Sequence, residues 1–169
     1  VWNSKSEHLE SLVFAECPYL RKVEISDRVT SIGEGTFRLC NDLRYVKLPD
    51  NLQKTDKGVF EYCRGLQEIE IPGSLKQVAE EMFIRCENLT SIVFHDGTEI
   101  IEEDAFQACY ALEELTLPAS IKKLGNFAFG WCNGLKRVYF EVEPPKISSG
   151  EGTPFQDVHG DLYYWEEKG

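Results

Sequence analysis

Residues 37–49 read Phe37-Arg-Leu-Cys40-Asn-Asp-Leu43-Arg-Tyr-Val46-Lys-Leu48-Pro49. This stretch decides the fold because it recurs along the chain in a fixed register. Cysteine returns at 17, 40, 63, 86, 109 and 132, every 23 residues. Phe14, Phe37, Phe60, Phe83, Phe106 and Phe129 stand three places before each cysteine, and Leu20, Leu43, Leu66, Leu89, Leu112 and Leu135 three places after. An apolar pair follows: Val23 and Ile25, Val46 and Leu48, Ile69 and Ile71, Ile92 and Phe94, Leu115 and Leu117, Val138 and Phe140. A fixed period of this length is the mark of a solenoid, in which each coil buries its apolar side against its neighbours.

Within the quoted stretch, apolar and polar residues alternate from Tyr45 to Leu48. Val46 and Leu48 therefore face one side and Tyr45 and Lys47 the other, as in a short strand. Pro49, Pro72 and Pro118 follow it, each removing a ladder donor and ending the pairing at one place. A polar turn leads to a second apolar pair, such as Val29 and Ile32 or Leu75 and Val78, which reads as a short strand on the opposite side. Gly33, Gly58 and Gly125 suit a corner. The five residues before each cysteine read as one helical or 3₁₀ turn carrying the phenylalanine. One coil buries too little to fold alone, so only the stack is stable. The phenylalanines should form an aromatic spine with a spacing of about 4.8 Å.

The ends depart from the pattern. Before Phe14 only Leu9 fits the second apolar column, with Ser6 in its partner's place. At the other end Pro144-Pro145 interrupts the pattern, and Ile147 keeps its column. Phe155 arrives three residues late, which implies an insertion within Ser148–Thr153, and Leu162-Tyr-Tyr-Trp165 reads as a last edge strand. The expected organisation is one repeat array over 1–169: a degenerate or truncated coil at 1–13, six regular repeats at 14–143 and an irregular C-terminal cap at 144–169.

The chain has 169 residues, 42% hydrophobic and 28% charged, the composition of a folded protein. No apolar run reaches the 18 residues of a membrane-crossing helix. The chain does not begin with methionine, so its N-terminus reads as cut and the lack of a signal segment says little about compartment. Net charge is −11, with 11 Lys/Arg against 14 Asp/Glu in residues 1–84 and 7 against 15 in residues 85–169. Such an acidic chain repels phosphate backbones, which argues against nucleic acid as a partner. The densest acidic stretch (Asp96, Glu99, Glu102, Glu103, Asp104) lacks the ligand spacing and glycine of a calcium loop.

No zinc or redox spacing links the cysteines. Equivalent positions on stacked coils point their side chains in parallel, a poor arrangement for a disulfide. They read as free thiols serving as small buried hydrophobes. His8, His95 and His159 lie in different coils and form no ligand set. No hydrolase or phosphate-binding motif is present, so neither metal nor cofactor is expected. Asn88-Leu-Thr90 has the form of a glycosylation acceptor, but Leu89 is a core column and Asn88 occupies a variable slot.

The cassette F-x-x-C-x-x-L-x-x-[VIL]-x-[ILF]-P, with Val29-Thr-Ser-Ile-Gly33 leading to Phe37 and Asp104-Ala-Phe106 leading to Cys109, resembles the BspA-like leucine-rich repeat family. The resemblance covers about residues 9–155. Thr36, Val59 and Met82 depart from its favoured alanine, and His95 and Glu141 from its proline. It implies an α/β solenoid: a right-handed leucine-rich-repeat superhelix of six 23-residue coils, with a parallel sheet on its concave face and short strands or helical turns opposite. It also implies an extracellular or cell-surface protein, bacterial in most cases, of a kind implicated in attachment to host matrix proteins or other cells.

The outward strand columns supply the only variable, ordered and exposed surface. One reads Lys22, Tyr45, Glu68, Ser91, Glu114, Arg137 and the other Glu24, Lys47, Glu70, Val93, Thr116, Tyr139. Alternating charges such as Glu24–Lys47–Glu70 could simply pair across the sheet. Tyr45, Arg137 and Tyr139, however, are residue types that anchor interfaces. The expected partner-binding residues are therefore Lys22, Glu24, Tyr45, Lys47, Glu68, Glu70, Glu114, Arg137 and Tyr139. The reading is a non-catalytic, monomeric recognition module for a protein or glycan on a host or neighbouring cell. A passive spacer is the alternative. A carbohydrate-active enzyme using Glu68 and Glu70 is a remote one, because nothing in the sequence supplies a cleft.

Overall fold

The computed structural model describes residues 6–145 and 152–164, with side chains through Asp161. Ile147, most of the expected insertion and Trp165 lie outside the described residues. Two series of strands alternate along the chain. The short series holds β1 (His8–Leu9), β3 (Ser31–Ile32), β5 (Lys54–Thr55), β7 (Gln77–Val78), β9 (Ile100–Ile101) and β11 (Lys123–Leu124). The longer series holds β2 (Lys22–Glu24), β4 (Tyr45–Lys47), β6 (Glu68–Ile71), β8 (Ser91–Phe94), β10 (Glu114–Leu117), β12 (Arg137–Phe140) and β13 (Asp161–Tyr164).

Every pairing is parallel and joins equivalent positions of successive coils, as in Lys22 with Tyr45 and Glu114 with Arg137. The longer series forms two ladders, β2-β4-β6-β8 and β10-β12-β13, and the short series forms β1-β3-β5 and β7-β9-β11. The chain is thus a parallel β-solenoid, with its apolar columns gathered in one continuous core.

The phenylalanine spine is present. Successive rings from Phe14 to Phe129 stack at 5.0–5.4 Å between centroids and within 9° of parallel. Phe155, despite its late arrival, stacks on Phe129 at 5.5 Å. The final strand then pairs Val138 with Leu162, a step of 24 residues. Two of the three extra residues before Phe155 are therefore recovered between Phe155 and Leu162.

The expected helical turns are not formed; no helix occurs among the described residues. The phenylalanine segment is instead a run of tight turns bounded by left-handed residues two places before and two places after the phenylalanine. The pairs are Leu12 and Glu16, Gly35 and Leu39, Gly58 and Tyr62, Glu81 and Arg85, Asp104 and Ala108, and Phe127 and Trp131, all with φ between 52° and 64°. Their hydrogen bonds supply the reason. In the coil of Phe37, the N–H groups of Gly35, Phe37 and Leu39 donate to the carbonyls of Lys57, Val59 and Glu61 at 2.8–3.0 Å. A helical turn would direct those donors back along its own axis. Here they satisfy the next coil, so the turn face becomes a third ladder along the stack.

The cysteines complete this arrangement. Cys40, Cys63, Cys86, Cys109 and Cys132 donate their thiol hydrogens to the carbonyls of Phe14, Phe37, Phe60, Phe83 and Phe106, at 3.1–3.5 Å. Burial pushes the Cys63, Cys86 and Cys109 thiols well above their ordinary pKa, so they stay protonated and able to donate.

Candidate binding face

Alternation along the longer strands turns one residue in two away from the core. In β4 and β6, Val46 and Ile69 are buried while Tyr45, Lys47, Glu68 and Glu70 are exposed. The interruption of the ladder after β8 divides the nine expected residues. Lys22, Glu24, Tyr45, Lys47, Glu68 and Glu70 share the first ladder, whereas Glu114, Arg137 and Tyr139 share the second. Tyr139 is half-buried and the other eight are exposed.

The charges do not pair as the columns suggest. Glu24 binds Lys22 on its own strand, Nζ to Oε1 at 2.6 Å, instead of Lys47 on the next. That contact raises the pKa of Lys22 and lowers that of Glu24, first through the hydrogen bond and then through the opposite charge. Lys22 also sits 5.1 Å from the ring centre of Tyr45, a cation–π distance. Glu70 meets Nε2 of His95 at 3.2 Å, and Lys47 has no carboxylate within ion-pair reach among the described residues. On the second ladder Arg137 pairs directly with Glu114.

A shallow depression of about 220 Å³ lies over β4, β6 and β8, with Tyr45, Lys47, Glu68, Glu70, Val93 and His95 among its lining residues. The sequence had offered no cleft. His95 was missed as a member of this face, and its signal was available: just past the end of β8 it stands where three other coils carry proline, and it puts there a side chain that meets Glu70. Glu68 and Glu70 both line the depression and are exposed. Among the described residues, no group of three or more His, Cys, Asp or Glu side chains is arranged to hold a metal ion.

The repeat geometry has counterparts among known proteins. The BspA type leucine-rich repeat region matches in six copies over residues 7–148, and the chain belongs to that family. A solved leucine-rich cell surface protein from Faecalibacterium prausnitzii A2-165 is 29% identical, with a TM-score of 0.74 over 81% of this chain and 37% of its own. The leucine-rich repeat protein of T. pallidum is also 29% identical, covering 78% of this chain and 51% of its own, with a TM-score of 0.49. A leucine-rich repeat protein of Bacteroides ovatus ATCC 8483 shares the fold at 18% identity and a TM-score of 0.51, over 92% of this chain and 58% of its own. The chain thus spans between about a third and three fifths of these solved relatives. No curated protein matches.

Proposed function

We propose that the chain is a non-catalytic recognition module of a cell-surface protein, binding a protein or glycan through the outward face of its longer strands. The observation that carries this reading is the depression over β4, β6 and β8. There, exposed polar, aromatic and apolar side chains stand on strands paired in the β2-β4-β6-β8 ladder. Family membership and the surface location stated for the Faecalibacterium relative support it. Rigid repeat scaffolds that present variable side chains are suited to recognition. Against catalysis, Glu68 and Glu70 lie on an open face and Glu70 is already engaged by His95.

The test is a binding screen against matrix proteins and glycans, followed by the triple substitution Tyr45→Ala, Arg137→Ala and Tyr139→Ala. A recognition module loses its partner while keeping its melting profile. Unchanged binding would reject this face, and a passive spacer would find no partner at all.

A further inference from the structure

Two arginines beside this face stand in an arrangement that the sheet itself does not explain. Arg21 and Arg44 immediately precede β2 and β4, and the N–H of Arg44 donates to the carbonyl of Arg21 at 2.9 Å, so the two are direct neighbours across coils. Both side chains are exposed, and neither reaches a carboxylate among the described residues. Asp42, two places before Arg44, is half-buried and makes no ion pair with either. The column that holds both arginines behaves differently at the other end of the array. There Lys136 pairs with Glu113 at 3.0 Å, beside the Arg137–Glu114 pair of the adjoining column.

Like charges placed opposite one another weaken a sheet, whereas the opposite-charge pairs at the far end strengthen it. The repeat can therefore neutralise these positions, and at Arg21 and Arg44 it does not. The surroundings reinforce the local sign. Residues 37–59 carry five Lys/Arg against three Asp/Glu, while residues 83–105 carry one against six. Glu24, the outward carboxylate of β2, is held by Lys22.

Resting on the recognition reading above, we infer that Arg21 and Arg44 form a site for a sulfated glycan. A guanidinium presents a planar fork of donors that matches the oxygens of an oxyanion two at a time. Two forks one strand spacing apart, about 4.8 Å, can hold sulfate groups carried on one or two adjoining sugars. An acidic peptide fits less well. Between β2 and β4 the backbone groups are already bonded to each other, so a peptide laid across them finds no partners for its own amides. A glycan has no such backbone to satisfy.

The probe is dextran sulfate, with unsulfated dextran, hyaluronan (carboxylate only) and polyglutamate as controls. Binding is measured on the intact chain between 50 and 300 mM salt. Because the chain carries a net charge of −11, it has no general attraction for polyanions, and binding would report a local site. The expected result is salt-sensitive binding of dextran sulfate alone, weakened about tenfold or more by Arg21→Gln with Arg44→Gln. Lys122→Gln with Lys123→Gln, which removes two lysines paired with Glu99 and Glu102 away from this face, should leave it unchanged. The arginine variant should melt no lower than the parent, since like-charge repulsion has been removed. Absence of binding at 50 mM salt, or equal loss in both double variants, overturns the inference. So does equal affinity for hyaluronan or polyglutamate. If a matrix protein still binds through the strand face while dextran sulfate does not, only this inference fails; if neither binds, the recognition reading fails with it.

Discussion

The thiol of Cys63 donates a hydrogen bond to the carbonyl oxygen of Phe37, 3.1 Å away in the preceding coil. The same oxygen also accepts the N–H of Cys40, at 3.2 Å. One carbonyl thus joins the turn of its own coil to the side chain of the next, which explains why the column is cysteine and not merely a small apolar residue. Thiols are weak donors, but here the donor is fully buried and has no water to fall back on.

Cys63→Ala removes the sulfur and its donor together, leaving a small cavity and a carbonyl with one bond fewer. The expected loss is about 1–3 kcal/mol in urea unfolding. The last coil offers the reverse experiment. Val158 occupies the cysteine position there, its N–H bonded to Phe155 as each cysteine's is to its own phenylalanine. Val158→Cys should supply a thiol to the carbonyl of Phe129 and steady the C-terminal coil. A lower midpoint for Val158→Cys would count against the assigned role of the thiol.

Reactivity should follow burial. Cys17 is half-buried at the first phenylalanine of the spine, and the other five are buried. A colorimetric thiol titration of the native protein should show one group reacting quickly and five slowly, with all six available in denaturant. The thiolate is the reactive form, and burial suppresses it at Cys63, Cys86 and Cys109. Finding fewer than six groups in non-reducing denaturant would show that some are paired.

The sequence disclosed the parts of the molecule that depend on period. Phenylalanine, cysteine and the apolar pair recur every 23 residues, and parallel stacking follows because equivalent residues must meet. The turns were hidden for a specific reason. The left-handed positions after the phenylalanine are filled by Glu16, Leu39, Tyr62, Arg85, Ala108 and Trp131, none of which signals positive φ. Their conformation is imposed by hydrogen bonds to the next coil, which no local propensity records. The binding face was legible as columns but not as contacts. Lys47 faces Glu24 across the ladder, yet Glu24 turns to Lys22 on its own strand, because side chains two apart on one strand also share a face.

One left-handed position carries a charge that the fold opposes. Asp104 has φ 57° at the third residue of a tight turn closed by the N–H of Ala105 and the carbonyl of Glu102. Partial burial raises its pKa to about 6, with Glu103, Glu81 and Glu80 adding to the shift and the hydrogen bond from Gln107 opposing it. The folded chain therefore holds this proton more tightly than the unfolded chain, whose carboxyl titrates near 3.8. The stability tied to Asp104 is fully present below about pH 4 and is lost as pH rises through 6. Asp104→Asn keeps an acceptor for Gln107 and a residue tolerant of positive φ, but removes the charge. It should melt about 1–3 °C above the parent at pH 7.5, a modest gain because solvent still screens a half-buried charge. The gap should close by pH 4. A gap of the same size at both pH values would assign the gain to the backbone preference of asparagine, and no gap at pH 7.5 would remove the charge from the account.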